Sequence, residues 1–451
     1  MLLHVAWRNN LDSYDVALAV NRLTTRGAAV WWLGGGGPRH EPGDYLCDVS
    51  DGAAASLAGF GVTARPWNAP LPDRAIPLAY PRIALFAGKA APWPAFAYGA
   101  IALARLGFAC ELVDGATVAA GGLQRCDLVF LADARAPGGL DLAEGVAGAD
   151  AKFYSFLADR GAAVATGAGG FLLSSGRSRR TGTVRALPRQ GPCGAGVVEV
   201  QFGADSIGFG CPPTLELPYY RGPVYDQVDR GVSVAARFHR LAVACETDPL
   251  AEAQFERELA GRPAVLRAEG RRGRAVVFST VPEMGDLIRR HDPPNEPLSG
   301  ESVLDPPSFR PLLNAIHSLM LRTRPPSPAL AADEPPPVAA APAPLPAEAF
   351  VQLDVPDDNP RFAAIAADLR SRFGRAAVRF ADAQAALSRL DGAASRIQLL
   401  WAQLARAAAA CRPADDEPPA GRLADADTRL LLIESWCALA EADARFAVRP
   451  P

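Results

Sequence analysis

Apolar residues between positions 79 and 325 fall into short continuous runs that alternate with longer amphipathic stretches. The runs cover Arg82–Ala87, Ala109–Val113, Asp127–Ala132 and Ala162–Thr166, and helical periodicity covers residues 94–106 and 151–160. Continuous apolarity is typical of strands that are buried on both faces, with helices packed between them. The pattern therefore predicts an α/β fold with a flavodoxin-like, mainly parallel sheet.

The pattern changes after about residue 190. Short apolar runs separated by Gly, Pro and Arg follow, at Val197–Phe202, Val232–Phe238, Leu241–Glu246, Ala264–Ala268 and Ala275–Ser279. Such runs without intervening helices favour an antiparallel extension of the sheet.

Residues 1–78 have the pattern of a small α/β unit. Strands are predicted at Leu2–Trp7, Ala28–Leu33 and Asp44–Val49, with one helix capped by Ser13 and a second over Gly52–Gly59. The glycines at 34–37 lack the Lys-Ser/Thr of a phosphate loop, so we expect a hairpin turn there.

Residues 326–348 are rich in Pro and Ala and predict a semi-rigid linker to a helical region, 349–451. Three amphipathic helices are expected there, over Pro360–Phe373, 376–411 and 423–446. Their aromatic residues allow two interpretations. One is a self-contained three-helix bundle with Trp401 and Trp436 in its core, and the other is an arm that docks on a partner protein. The resulting domain boundaries are 1–78, 79–325, 326–348 and 349–451.

Composition narrows the function classes. A net charge of −3 and the absence of basic patches with interleaved aromatic residues argue against nucleic-acid binding. The eight cysteines are spread singly, without zinc-site spacing, which is typical of buried thiols in a reducing cytoplasm. No apolar stretch approaches the ~20 residues of a membrane span. We therefore expect a cytoplasmic protein without metal or cofactor, and the Arg, Ala and Gly bias indicates a high-GC bacterium.

Two segments carry the candidate chemistry. Residues 162–174 read as an apolar strand, a glycine-rich elbow and a helix start, and residues 273–283 form a strand that ends in Pro282-Glu283. They resemble the two active-site signatures of class I glutamine-amidotransferase-like domains, in the variant at the N-terminus of eukaryotic biotin–protein ligases. Residues 219–225 resemble a third segment of that variant, Tyr-x-Asn-Gly-Pro-x-Phe, with Arg221 in place of Asn.

The resemblance implies an active site that has lost its reacting groups. The family's elbow reads roughly Gly-x-Cys-Ala-Gly-Ala-Tyr-Leu-Ala and its later strand ends in Ser-Pro-His-Pro-Glu. The cysteine position falls on Gly167 and the histidine position on Val281, whereas Glu283 remains. Ala168, Gly169 and Gly170 keep the small residues of a tight elbow. Glycine offers no nucleophile and valine accepts no proton, so no catalytic residue is assigned.

Few other residues near the predicted site could replace the missing groups. Thr166 and Ser174 flank the elbow, but a structural role is the better interpretation for both. Tyr220, Arg221, Gly222 and His239 are the candidates for lining a remaining pocket. Five arginines between Gly176 and Gly194 are interpreted as a solvated loop rather than a phosphate site.

These observations favour a catalytically inactive amidotransferase-like protein, which acts as a scaffold or accessory subunit. Its protein partners would bind through the C-terminal helices. Two alternatives stay open. One is a hydrolase or amide-forming transferase with a pocket rebuilt around Glu283, His239 or Arg221. The other is a small-molecule-binding module that retains the pocket.

Overall fold

The computed structural model describes residues 1–10, 14–88, 91, 93–133, 146–159, 161–174, 183–245, 248–270, 273–286, 307–320, 360–390, 393–411 and 418–447. The chain divides into two compact units. The first, here called the terminal unit, comprises Met1–Tyr80, Ile101–Ala109 and Met320–Pro451. The second, the sheet unit, comprises Pro81–Ala100 and Cys110–Leu319. The predicted linker 326–348 and the first part of the arginine-rich loop lie outside the described residues.

The N-terminal part of the terminal unit is a five-stranded antiparallel sheet with two helices. Its strands follow the order β4-β1-β3-β2-β5. They are β1 (Leu2–Val5), β2 (Ala29–Leu33), β3 (Tyr45–Asp48), β4 (Arg65–Pro66) and β5 (Ala75–Pro77), and the helices are α1 (Asp15–Thr25) and α2 (Asp51–Gly59). The three predicted strands and both predicted helices are confirmed. The glycines at 34–37 lie between β2 and β3, where Gly37 and His40 pair across a turn.

The sheet unit is built on nine strands in the order β12-β11-β14-β15-β16-β9-β8-β6-β7. Its strands in this sheet are β6 (Ile83–Phe86), β7 (Cys110–Val113), β8 (Leu128–Leu131), β9 (Ala162–Ala165), β11 (Ala195–Phe202), β12 (Thr214–Tyr220), β14 (Val232–Ala244), β15 (Pro263–Gly270) and β16 (Gly273–Phe278). A separate antiparallel pair consists of β10 (Ala186–Arg189) and β13 (Val224–Val228). Helices of the central region are α3 (Ala95–Arg105), α4 (Gly115–Ala119), α5 (Ala149–Asp159), α6 (Gly170–Leu173), α7 (Glu252–Glu258) and α8 (Phe309–Leu319).

The prediction of a mainly parallel sheet is correct for one half of the sheet only. The pairs β7/β6, β6/β8, β8/β9 and β9/β16 are parallel, and the strands of this half have the flavodoxin-like order 2-1-3-4-5. The other four neighbouring pairs are antiparallel. The whole sheet is therefore mixed, with the expected antiparallel extension joined to the parallel half at β16.

One predicted boundary in the extension is wrong. Val232–Phe238 and Leu241–Glu246 were expected as separate strands, but β14 runs continuously over Val232–Ala244. The polar residues between the two runs lie in the ladder with β11, and register shifts at bulges absorb the irregularity. A break in the apolar pattern thus marks exposed positions on one long strand.

The C-terminal helices are α9 (Pro360–Leu387), α10 (Ala393–Ala409) and α11 (Pro419–Ala447). The break expected after Phe373 is absent, because α9 continues through Gly374. An interior glycine costs only about 1 kcal/mol, and the buried side chains of Ala376, Phe380, Ala383 and Leu387 extend the packed face beyond it. None of the described helices combines the length and apolarity needed to cross a bilayer.

The aromatic stripe of these helices is buried within the chain. Trp401 and Trp436 are each 1% exposed, and their ring centroids lie 5.4 Å apart. Phe380 completes the cluster at 4.8 and 4.9 Å from the two indoles. The structure thus has the self-contained arrangement of the two interpretations, and these three aromatic residues are not available as anchors for a partner.

The last helix also packs on the N-terminal sheet module within the same unit. It contacts both α1 and α2. The buried carboxylate of Asp443 lies 3.0 Å from Arg26 and 3.5 Å from Arg22 of α1. A buried carboxylate needs such cations to offset its loss of hydration. The two ends of the sequence therefore contribute to one hydrophobic core.

Candidate functional site

The glycine-rich elbow lies at the carboxyl end of β9, at the edge of the parallel half of the sheet. The strand ends at Ala165, and a 3-10 turn over Gly167–Gly169 leads into α6. Gly167 has φ of +49°, in the left-handed region that glycine adopts most readily. Its N–H donates to the carbonyl of Thr280 at 2.9 Å, which ties the elbow to the segment after β16. The sharp strand-to-helix turn that a nucleophile elbow requires is therefore present.

The space beside Gly167 is occupied by the carboxylate of Asp133, which follows β8. A Cβ atom added at Gly167 would lie 2.2 Å from Asp133 Oδ1 and 2.7 Å from its Cγ. The same Oδ1 accepts the N–H of Ala168 at 2.6 Å. The resemblance assigns these elbow N–H groups to the oxyanion of acyl transfer. Here an aspartate of the chain itself takes that hydrogen bond and lies where the nucleophilic side chain would begin.

The other elbow glycines are in direct contact with neighbouring strands. A Cβ at Gly169 would approach the carbonyl oxygen of Leu131 to 2.6 Å, and one at Gly170 would approach Val277 Cγ1 to 2.7 Å. Gly222, in the loop after β12, is closer still, because its added Cβ would lie 1.8 Å from the carbonyl oxygen of Ser279. The elbow and this loop therefore pack against the ends of β8 and β16 at distances that exclude a side chain.

Val281 and Glu283 follow β16 and are both 1% exposed. The N–H of Val281 donates to the carbonyl of Pro218 at 2.8 Å, so the backbone at the histidine position is held against β12. Glu283 lies in a 3-10 turn, where its Oε1 accepts a hydrogen bond from the hydroxyl of Thr166. The glutamate that the resemblance retains is therefore linked to the elbow strand.

Burial raises the pKa of Glu283 to about 8, and repulsion from Asp133 acts in the same direction. Hydrogen bonds from Thr166 and from the backbone only partly oppose these effects. At neutral pH Glu283 is thus mainly protonated, and it is a proton donor rather than a base. Its second oxygen, and the hydroxyls of Ser279 and Thr280, are buried without a hydrogen-bond partner among the described residues. Polar groups are concentrated here, but the nucleophile is missing.

The remaining candidates lie in two different environments. Gly222 packs against the end of β16 beside the elbow, as its contact with Ser279 requires. Arg221 has φ of +48°, pairs with Asp248 at 2.7 Å and lies over the ring of Tyr220, with 44% of its side chain exposed. His239 is a half-exposed residue of β14 whose Nε2 lies 3.8 Å from Glu199. Arg221 and His239 thus make surface ion contacts in the extension.

Asp133 is a site residue that was not predicted from the sequence. A signal for it exists, since it directly follows the apolar run that forms β8, the strand next to β9. Carboxyl ends of neighbouring parallel strands meet at one edge of a sheet, so a polar residue there is a candidate neighbour of the elbow. Ser174 has a structural role, because its hydroxyl contacts the carbonyl of Gly170 and the hydroxyl of Tyr225. The described part of the chain contains no group of three or more His, Cys, Asp or Glu that could hold a metal ion.

Comparison with known proteins gives weak likenesses. No family profile matches the chain, and no curated protein matches it in sequence. Among solved structures it is similar to a glutamine amidotransferase, at 17% identity over 46% of this chain and 94% of the other, with a TM-score of 0.31. It is also similar to a ThuA-like protein from Bacteroides uniformis, at 11% identity over 52% and 89% of the chains and a TM-score of 0.32. A GMP synthase subunit from Thermoplasma acidophilum gives 11%, 53% and 95%, and 0.31. Scores of this size carry no argument about function.

Proposed function

We propose that this chain is a catalytically inactive amidotransferase-like protein of the biotin-ligase variant, which acts as a scaffold or accessory subunit. The contact between Asp133 and Gly167 is the main support. A thiolate or hydroxyl at position 167 would have to occupy the space of the aspartate carboxylate, whose oxygen lies 2.2 Å from the Cβ position. The same carboxylate takes the Ala168 N–H, so both the nucleophile and one oxyanion donor of the family mechanism are replaced.

Burial of the histidine position supports the same proposal. Val281 is 1% exposed and has no proton-accepting atom in its side chain. Glu283 is mainly protonated at neutral pH because burial raises its pKa to about 8. Among the described residues at this edge of the sheet, none of these groups thus combines the exposure, the charge state and the nucleophilicity that covalent amide chemistry needs. What remains is a close-packed platform of the amidotransferase type.

A rival enzymatic function draws on one observation, the proximity of Glu283 and Asp133. Two carboxyl groups with different proton affinities are the usual components of acid–base catalysis. Both groups are nine-tenths buried or more, however. A substrate would need access that the close backbone packing around Gly222 and Ser279 opposes. Inactivity is therefore the better proposal.

The scaffold function is tested by affinity purification of the full chain from its native cell. We expect a protein partner in fixed stoichiometry. Two exposed valines provide matched probes of the surface involved, Val378 of α9, 64% exposed, and Val243 of β14, 47% exposed. If the C-terminal helices bind the partner, Val378→Asp reduces its recovery and Val243→Asp does not. Recovery of the chain alone, under mild conditions and at native expression, would contradict the scaffold function.

A further inference from the structure

A cavity of about 540 Å³ lies at one end of the N-terminal sheet module. The loop after β1, the segment from the glycine turn to β3, and β4 with the residues after it enclose the cavity. All of these residues belong to the terminal unit. The cavity is therefore separate from the degenerate elbow and was not predicted from the sequence.

A buried Asp–His pair forms part of the wall. Asp44 is 3% exposed, and its Oδ1 accepts the N–H of Trp7 at 3.0 Å. Its Oδ2 accepts the N–H of Glu41 at 2.9 Å and lies 3.0 Å from Nε2 of His4. Because an ionised carboxylate only accepts hydrogen bonds, Nε2 of His4 is the donor. In a neutral imidazole this arrangement leaves Nδ1 as the acceptor.

The charge state of Asp44 follows from its contacts. Burial alone would raise its pKa, but the hydrogen bonds from His4 and from the backbone of Glu41 and Trp7 outweigh burial and lower it. Three donors around one carboxylate fix the ring of His4 in one orientation. This is the arrangement by which proteins commonly orient a histidine that binds a ligand or moves a proton.

The cavity also carries positive charge that the protein does not neutralise. Arg8 is paired with Glu41 at 2.9 Å. Arg39 and Arg65 also line the cavity, and neither has an ion-pair partner among the residues the structure describes. Two unpaired guanidinium groups that line one cavity match the charge and the planar geometry of a carboxylate or phosphate group.

Aromatic groups provide an apolar wall beside these charges. The ring of Trp67 lies 5.5 Å from that of His4 and 5.9 Å from that of His40. Nδ1 of His40 is buried without a hydrogen-bond partner in the described part of the chain. Gly37 permits the position of this ring, since an added Cβ there would lie 2.5 Å from Cε1 of His40. The glycine run thus allows His40 to lie in the cavity wall.

We propose that this cavity binds a small organic anion whose phosphate or carboxylate group pairs with Arg39 and Arg65. His4, oriented by Asp44, and His40 supply hydrogen-bonding nitrogens to the same molecule, and Trp67 contacts its apolar part. The described lining of the cavity includes no Ser, Thr or Cys, so the site is one of binding and not of covalent catalysis.

The test uses the full chain labelled at its histidines, of which the sequence contains five. Inorganic phosphate, phenyl phosphate and benzoate are titrated separately while the imidazole NMR signals are followed. We expect saturable shifts of His4 and His40, with His239, which lies in the sheet unit, as the internal reference. A stronger response to phenyl phosphate identifies a phosphate ester as the ligand class, and a stronger response to benzoate identifies a carboxylate.

Matched arginine variants test the site itself. The double variant Arg39→Gln/Arg65→Gln should weaken binding by about tenfold or more, because charge-assisted hydrogen bonds are lost. Arg74→Gln, at an exposed arginine of the same module outside the cavity lining, should leave affinity within about twofold. Unchanged histidine signals in the free double variant verify its fold. The proposal is overturned if no probe gives saturable shifts, if His239 shifts in parallel, or if the double variant binds as tightly as the parent.

Discussion

Introducing cysteine at Gly167 would restore the family's nucleophile and should destabilise the sheet unit. The new Cβ would begin 2.2 Å from Asp133 Oδ1, on backbone with φ of +49°. The left-handed conformation costs a side-chain-bearing residue about 1–2 kcal/mol. Overpacking of a close contact costs about 1–3 kcal/mol more. Gly167→Cys should therefore lower the free energy of unfolding by roughly 2–5 kcal/mol.

Gly148→Cys is the matched control for the backbone contribution. Gly148 has φ of +88°, but an added Cβ there would meet no atom within 4 Å. This variant should lose only the conformational part, about 1–2 kcal/mol. The difference between the two variants then measures the clash with Asp133.

Removing the aspartate should partly rescue the cysteine. Asp133→Ala alone costs about 1–3 kcal/mol, because the N–H of Ala168 loses its acceptor. In the double variant the clash is absent, so the two losses should combine to about 1–2 kcal/mol less than their sum. Hydrogen exchange of the amides in β9 and β16 provides the assay, since it reports on the sheet unit separately. Strict additivity, or equal losses at positions 148 and 167, would refute the reasoning.

Three further variants test other parts of the structure. Gly169→Val should cost roughly 2–4 kcal/mol because its Cβ would lie 2.6 Å from the carbonyl oxygen of Leu131, whereas Gly231→Val, with open space around it, should be nearly neutral; equal melting temperatures would argue against the close packing. Between pH 4.5 and about 8, native Glu283 keeps a proton that the unfolded chain loses, so wild-type stability should fall with rising pH relative to Glu283→Gln; parallel stability curves would contradict its raised pKa. Asp443→Ala should destabilise the terminal unit by about 3–5 kcal/mol, measured by hydrogen exchange in α11, and unchanged protection there would mean that its two arginines do not need it.

Much of the fold could be predicted from apolar patterning. The runs that form β6, β8 and β9 are fully buried, and burial on both faces requires continuous apolarity. Breaks in the pattern were less informative. His239 and Arg240 interrupt an apolar run without ending β14, and Gly374 does not end α9. Neighbouring strands and helices provide the packing that overrides these local signals.

The site was predicted in part, for a physical reason. The tight elbow requires small residues, and such a requirement is visible in the sequence at Gly167, Gly169 and Gly170. The contact between Asp133 and the elbow joins two strands and depends on side-chain direction, which one sequence does not specify. The same holds for the Asp44–His4 pair, because its members are 40 residues apart and meet only through the β1/β3 ladder.

Glutamine hydrolysis by the purified full chain tests the central claim most directly. Ammonia release is measured with glutamine in excess, with and without prior alkylation of the thiols. Because Asp133 occupies the nucleophile's space and Val281 replaces the base, we predict no release above the uncatalysed rate in either sample. Glutamine-dependent ammonia release that alkylation abolishes would contradict the proposal that this amidotransferase-like site is inactive.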